Sequence, residues 1–248
     1  MYKKEAEKKG EYFVRWFSEL SNKDVSIAGG KGASLAEMYN IKMPIPPGFV
    51  VSAQAFDYFL KKTNIEGRIK DIIERVDVND TERLNKASRQ IREIIESAEL
   101  PDEIKGEIVE AYEVLGADIH GEKGKNALGV LESSGEPFVA VRSSATTEDL
   151  SDASFAGQQE SFLSVQGKKD LLEKTKKCMS SLFTARAIYY RKKKGFDKSN
   201  ALLSVVIMKM INSEKSGVMF TKNPIKGDGS IVIEAVWGLG EGIVSGMI

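Results

Sequence analysis

The chain has 248 residues, with 36 Lys and Arg against 36 Asp and Glu, 42% apolar and 29% charged content. That length and composition suit a globular fold with a sizeable core, in one large domain or two small lobes, and exclude an intrinsically disordered chain. The zero charge balance argues against a general nucleic-acid binder, and no uninterrupted apolar run reaches the ~20 residues of a membrane-spanning helix.

The single cysteine, Cys178, cannot form an internal disulfide. It falls in the helical pattern Leu171, Leu172, Thr175, Cys178, Met179, Leu182 and reads as a small core residue in a reducing compartment. The charged start, Met1 to Gly10, lacks the apolar segment of a secretory signal. The expectation is a cytoplasmic protein that engages neither membrane nor nucleic acid.

In chain order, residues 12–20 are aromatic and apolar and predict a strand or short turn. Gly29-Gly-Lys-Gly32 reads as a loop, followed by a short helix from Ala33 to Asn40 with Leu35 and Met38 inward. Pro44-Ile-Pro-Pro-Gly48 stops any helix and leads into an extended Phe49-Val-Val51. Ser52 fits the N-cap of a helix from Ala53 to Lys62.

Residues 65–116 show helical spacing three times: Ile69, Ile72 and Ile73; then Leu84, Ile91 and Ile95; then, after Pro101, Ile104, Ile108 and Leu115. They predict a helical insert on a mixed β-sheet core. Gly116 to Gly135 is a glycine-rich connector whose His120 reads as a solvated loop residue. Lys168 to Lys194 predicts one long amphipathic helix. Leu202 to Ile211 and Val218 to Thr221, joined by Asn212 to Gly217, predict a β-hairpin. Ile231 to Trp237 predicts a strand running into the glycine turn Gly238 to Gly242.

Four constellations carry possible chemistry. In Gly29-Gly-Lys31-Gly-Ala-Ser-Leu35 a lysine stands at a helix start, where helix dipole and ammonium suit a phosphate; the same residues also suit a plain cap. The spacing is not that of a Walker A loop. Arg142 follows Phe138-Val-Ala-Val141 and precedes Ser143, Ser144, Thr146, Thr147, Glu148 and Asp149. A guanidinium fork among hydroxyls and small residues suits a polyanion at a strand end; a polar loop with a surface ion pair is the other reading. Ser154-Phe-Ala-Gly157-Gln-Gln-Glu-Ser161 fits either a lid over phosphates or an ordinary turn. Glu234, before Gly238-Leu-Gly-Glu-Gly242, either holds a ribose hydroxyl or faces solvent.

Five segments, in order, resemble the nucleotide-binding N-terminal domain of the phosphoenolpyruvate synthase family, to which pyruvate phosphate dikinases and rifampin phosphotransferases are related. They are Gly29 to Leu35, Ile45 to Val51, Val141 to Leu163, Ser216 to Thr221 with Asn223-Pro224, and Ile233 to Glu241.

The resemblance implies an α+β, ATP-grasp-like fold holding ATP between two lobes. The first would span residues 1–200, including the helical insert at 65–116. The second would begin at 201–248 and be incomplete. By position, Lys31 and Arg142 would contact the ATP phosphates and neutralise charge during transfer, with Ser143 beside them. Gly157 and Ser161 would belong to a loop closing over the phosphates. Met208, where the family commonly has Gln, would offer an apolar platform to adenine. Glu234 would sit in the second lobe.

The resemblance also implies Mg²⁺, with ligands expected beyond Ile248. It implies partners: a phosphohistidine domain and a pyruvate domain, neither present here. An open sheet edge in an incomplete second lobe would invite a homodimer. The implied reaction converts ATP, pyruvate and water to phosphoenolpyruvate, AMP and phosphate, as in gluconeogenesis, and this chain alone would not complete it. The alternatives are the ATP domain of an antibiotic phosphotransferase and a non-catalytic nucleotide-binding module.

Overall fold

The computed structural model describes residues 12–117, 136–146, 160–194, 202–244 and 246. The chain divides into two units, Met1–Met210 and Ile211–Ile248. His120, Thr147 to Asp149 and Ser154 to Gln159, with Gly157 among them, lie outside the described residues.

The first unit is built on a five-stranded sheet in the order β1-β2-β5-β3-β4. The strands are β1 (Val14–Trp16), β2 (Gly48–Val51), β3 (Val139–Ala145), β4 (Ser161–Val165) and β5 (Leu203–Lys209). All four pairings are antiparallel. The α+β class therefore holds, with an antiparallel sheet where a mixed one was expected. The helices are α1 (Val25–Asn40), α2 (Ala53–Lys62), α3 (Glu66–Arg75), α4 (Thr81–Ser97), α5 (Asp102–Ala117), α6 (Lys168–Ser180) and α7 (Ala185–Lys194).

Strand alternation sorts the side chains into two layers. On one face Phe49, Val51, Val141, Val205 and Ile207 pack with Phe56 and Phe59 of α2, Ile91 and Ile95 of α4, Ile104 and Ile108 of α5, and Leu171 and Met179 of α6. All of these are fully buried. The helices of residues 66–117 thus share one core with the sheet. They pack on the sheet as the sequence spacing predicted, because their isoleucine faces cover the strands directly. On the opposite face, Val50 and Val206 meet Ala28, Ala33 and Ala36 of α1 with Phe17 and Leu20.

Capping acts as the residue types dictate. Ser52 accepts the Ala55 N–H at 3.2 Å, and Asp80 accepts the N–H groups of Glu82 and Arg83. Three predictions need correction. Helix α1 begins at Val25 and kinks at Gly29, where φ is 66°. Its inward positions are the alanines; Leu35 and Met38 are only half-buried, because α1 lies too close to the sheet for larger side chains there. The helix predicted over Lys168 to Lys194 is two helices. A 3-10 turn occupies Ser181–Phe183, Thr184 is extended, and Thr184 Oγ1 caps the Ala187 N–H at 3.2 Å.

The predicted hairpin also fails. Strand β5 pairs with β2 and, from Leu203 to Lys209, with all of β3. The partner of β6 (Lys215–Phe220) is β7 (Val232–Trp237). Burial decides this: Val205, Val206 and Ile207 are buried on both faces, as a central strand requires, whereas β6 is largely exposed. The unit boundary accordingly follows Met210 and not residue 200.

The second unit is a two-stranded ribbon, β6 with β7, and the short helix α8 (Glu241–Val244). Gly217 lies so close to β7 that a Cβ there would stand 2.6 Å from the Glu234 carbonyl oxygen. Lys215 Nζ sits 4.8 Å from the Trp237 ring centre.

Candidate functional site

Strand β3 is the organising element. Val139 and Val141 face the helical core, so Ala140, Arg142 and Ser144 face the side covered by α1. Register confirms it. Arg142 pairs with Val206, a member of the α1-side cluster, and Ser144 pairs with Ser204.

Ser144 sews α1 to the sheet. Its Oγ donates to the Ala28 carbonyl at 2.8 Å and accepts the Gly32 N–H at 3.1 Å. Ser204 Oγ donates to the Ser144 carbonyl at 3.0 Å. A Cβ on Gly32 would lie 3.4 Å from methyls of Val50 and Val206. Gly29 and Gly32 therefore serve close helix-to-sheet packing. This packing turns Lys31 toward β3, where its Nζ donates to the Ser143 carbonyl at 3.2 Å.

Arg142 sits mid-strand, not at the strand end that the sequence pattern implied. Its side chain is half-buried and makes no hydrogen bond or ion pair with another described residue. Ser143 is buried, and its N–H and Oγ both donate to the Glu160 carbonyl. Ser161 pairs with Arg142 across β3–β4 and is exposed. Met208 lies one strand away, paired with Ala140 and Gly48, half-buried on the α1-side cluster.

Lys31, Arg142, Ser143, Ser161 and Met208 thus share one region of the first unit. Glu234 belongs to the second unit, exposed on β7 opposite Val218. Gly157 lies outside the described residues.

Beneath this region, burial pushes the Cys178 thiol far up from its ordinary value; the Glu160 charge adds to the rise and Lys31 opposes it. Cys178 Sγ lies 3.5 Å from the Val141 carbonyl and 3.7 Å from that of Glu160. Two hollows lie elsewhere. One, of about 360 Å³, is lined by Trp16, Phe17, Tyr39, Gly48 and Val114. The other, of about 400 Å³, is lined by Arg89, Arg92 and Thr184. Neither is lined by Lys31 or Arg142. No group of three or more His, Cys, Asp or Glu side chains among the described residues could hold a metal ion.

The family described as pyruvate phosphate dikinase, AMP/ATP-binding domain, matches residues 25–248. The chain belongs to that family. It is 50% identical over 237 residues to a probable phosphoenolpyruvate synthase of Methanocaldococcus jannaschii, and 51% over 235 residues to that of Archaeoglobus fulgidus. It is 43% identical over 269 aligned positions to the phosphoenolpyruvate synthase of Pyrococcus furiosus. Each match covers 95% of this chain but only 19%, 29% and 31% of the respective relative. This ATP-binding domain therefore spans about a fifth to a third of the length of those relatives.

Sequence reasoning placed Ser144 beside Arg142 without its bridge to α1 and Glu160 in the Ser154 to Ser161 stretch without its ties, and it missed Ser204 and Arg92. For the two serines there was a signal: small hydroxyls inside apolar strands, at positions where a neighbouring helix must come close. For Arg92 and Glu160 there was none, since they are 68 positions apart in sequence.

Proposed function

We propose that this ATP-binding domain holds the ATP phosphates with Lys31 and Arg142 and serves a phosphoenolpyruvate synthase. What carries the reading is Arg142: a half-buried guanidinium with no anion beside it among the described residues, on the strand whose next carbonyl receives the Lys31 ammonium. The Arg fork suits two phosphate oxygens, and the Lys adds a mobile point charge.

In this reading, Lys31 and Arg142 draw charge off the phosphate oxygens as the bond between the α- and β-phosphates breaks, the cleavage that leaves AMP. Ser161 lies beside Arg142 as a hydroxyl contact, Ser143 is not a phosphate contact because its buried hydroxyl donates to the Glu160 carbonyl, and Gly157 belongs to a loop over the phosphates. Met208 offers adenine an apolar surface. The first lobe runs to Met210, the boundary supported by the contacts of β5.

The α–β bond breaks to leave AMP, water cleaves the β–γ bond to release phosphate, and the remaining β-phosphoryl group, carried on a histidine of another domain, passes to pyruvate, so that ATP, pyruvate and water become phosphoenolpyruvate, AMP and phosphate. Mg²⁺ belongs to the proposal with ligands other than the described residues, and no step here is assigned to it. We place the protein in the cytoplasm. Self-association through an exposed strand edge is the assembly to check by light scattering.

The test is calorimetric titration with ATP, with AMP as the control for phosphate contacts. Tighter binding of ATP than of AMP, lost in Arg142→Ala with the fold intact, is the expected result. Equal ATP affinity in the parent protein and a folded Arg142→Ala variant overturns the site.

A further inference from the structure

Glu160 ties three elements together. Its main-chain carbonyl accepts the Ser143 N–H at 3.3 Å and Ser143 Oγ at 3.0 Å. Its carboxylate receives Arg92 of α4, with an Arg92 NH2 to Glu160 Oε1 distance of 2.7 Å. The next residue, Ser161, is the register partner of Arg142.

Arg92 is held on its other side too. Its Nε lies 3.5 Å from Glu96 Oε1 and donates to Ser180 Oγ at 3.3 Å. Ser180 Oγ donates to the same Glu96 oxygen at 2.6 Å, and Lys176 Nζ donates to the Glu96 and Ala98 carbonyls. One guanidinium fork therefore joins α4, the end of α6 and the start of β4. The Arg92 and Glu160 side chains are 28% and 31% exposed, so water screens their pairing only partly.

We infer that Arg92 is a positioning residue for nucleotide binding: through Glu160 it holds the start of β4 against Ser143 and Arg142 of β3. The inference rests on Arg142 meeting phosphate.

Two consequences follow from the geometry. The Ser143 N–H and hydroxyl share the Glu160 carbonyl as acceptor, so displacement of Glu160 loosens the backbone on both sides of Arg142. Glu160 also carries a negative charge directly before Ser161, the register partner of Arg142. Paired with Arg92, that charge is neutralised. Released, it becomes an internal competitor of phosphate for the cations on β3 and α1.

The test uses the protein at full natural length and measures affinities for ATP, AMP and adenosine beside thermal stability. Arg92→Gln is expected to weaken ATP by about three- to thirtyfold, the range typical of mutated coupling networks, while adenosine affinity stays constant. Arg92→Lys keeps the charge but loses the fork, so it is expected to restore part of the loss. In the Arg92→Gln background, Glu160→Gln is expected to return ATP affinity toward the parent value, since the released charge is gone.

Arg92→Gln with lowered stability but unchanged ATP affinity overturns the inference and leaves Arg92 a purely structural tie. An equal loss for ATP and adenosine overturns it as well. If Arg92→Gln does not fold, Glu160→Gln alone serves: unchanged ATP affinity under added salt and at low salt overturns the coupling. Arg142→Ala measured in parallel separates the two readings. If Arg142→Ala loses ATP while Arg92→Gln does not, only the positioning role fails; if Arg142→Ala keeps ATP, the phosphate site itself fails.

Discussion

A Cβ placed on Gly29 would stand 2.3 Å from Ser144 Oγ and 2.4 Å from the Ser144 carbonyl oxygen, so α1 and β3 meet backbone to backbone at these two residues. Gly29 also has φ of 66°, a region where a side chain is strained. Gly29→Ala is therefore expected to destabilise the protein by about 2–5 kcal/mol, from left-handed strain and overpacking together. Urea unfolding measures it; a loss below half a kcal/mol on the same scale would show that α1 can simply lift away.

Ser144→Ala removes a buried donor to Ala28 and the acceptor of the Gly32 N–H at once. Leaving two backbone groups unsatisfied in a dry interface costs about 1–3 kcal/mol. The same unfolding measurement reads this. Lys31, three residues along α1 from Ala28, is expected to lose its hold on the Ser143 carbonyl, visible as weaker ATP binding. A variant as stable as the parent contradicts the bridging role.

The Arg142 side chain makes no ion pair or hydrogen bond with another described residue. Arg142→Ala is thus expected to leave the unfolding midpoint nearly unchanged while ATP affinity falls by about 1.5–3 kcal/mol, the scale of hydrogen bonds to charged groups. Calorimetry beside thermal unfolding separates the two effects. A fall in stability matching the fall in affinity would mean that Arg142 is structural.

Tyr112 is almost fully buried on α5, and its hydroxyl donates to the Pro137 carbonyl at 2.7 Å while accepting the Gly167 N–H at 3.0 Å. It ties the entry of β3 to the start of α6. Tyr112→Phe is expected to cost about 1–3 kcal/mol, the penalty for buried polar groups left unpaired, without changing nucleotide affinity. Equal melting temperatures for the two proteins would count against it.

Burial holds the Cys178 thiol well above its ordinary value of 9.0. The folded state therefore keeps its proton where the unfolded chain has lost it. Stability from this group is fully present below about pH 9 and declines as pH rises further, because the unfolded state then binds fewer protons. Cys178→Ala is expected to flatten the fall in stability above pH 9, and native Cys178 is expected to resist thiol reagents at pH 8 until the protein unfolds. Rapid labelling of the native protein contradicts this.

Much of the architecture was legible locally. Ser52 and the apolar repeat after it defined α2, and the isoleucine spacings of residues 66–117 defined three helices, because caps and periodicity act within a few residues. The family motifs pointed to Lys31, Arg142 and Met208, and these share one region of the first unit.

Other features required distant partners. Periodicity alone could not tell that Thr184 splits Lys168 to Lys194 into two helices, nor that β5 leaves β6 to lie between β2 and β3. Both outcomes follow from which apolar faces find cover elsewhere in the fold. The sequence by itself determined the residue types, α2, the three helices of residues 66–117 and the family. Only the tertiary structure decided that Gly29 and Gly32 serve packing against Ser144, that Arg142 stands mid-strand without a side-chain partner among the described residues, and that Arg92 meets Glu160. The physical reason is that close backbone approach and charge pairing depend on contacts between residues 50 to 120 positions apart, to which local patterning is blind.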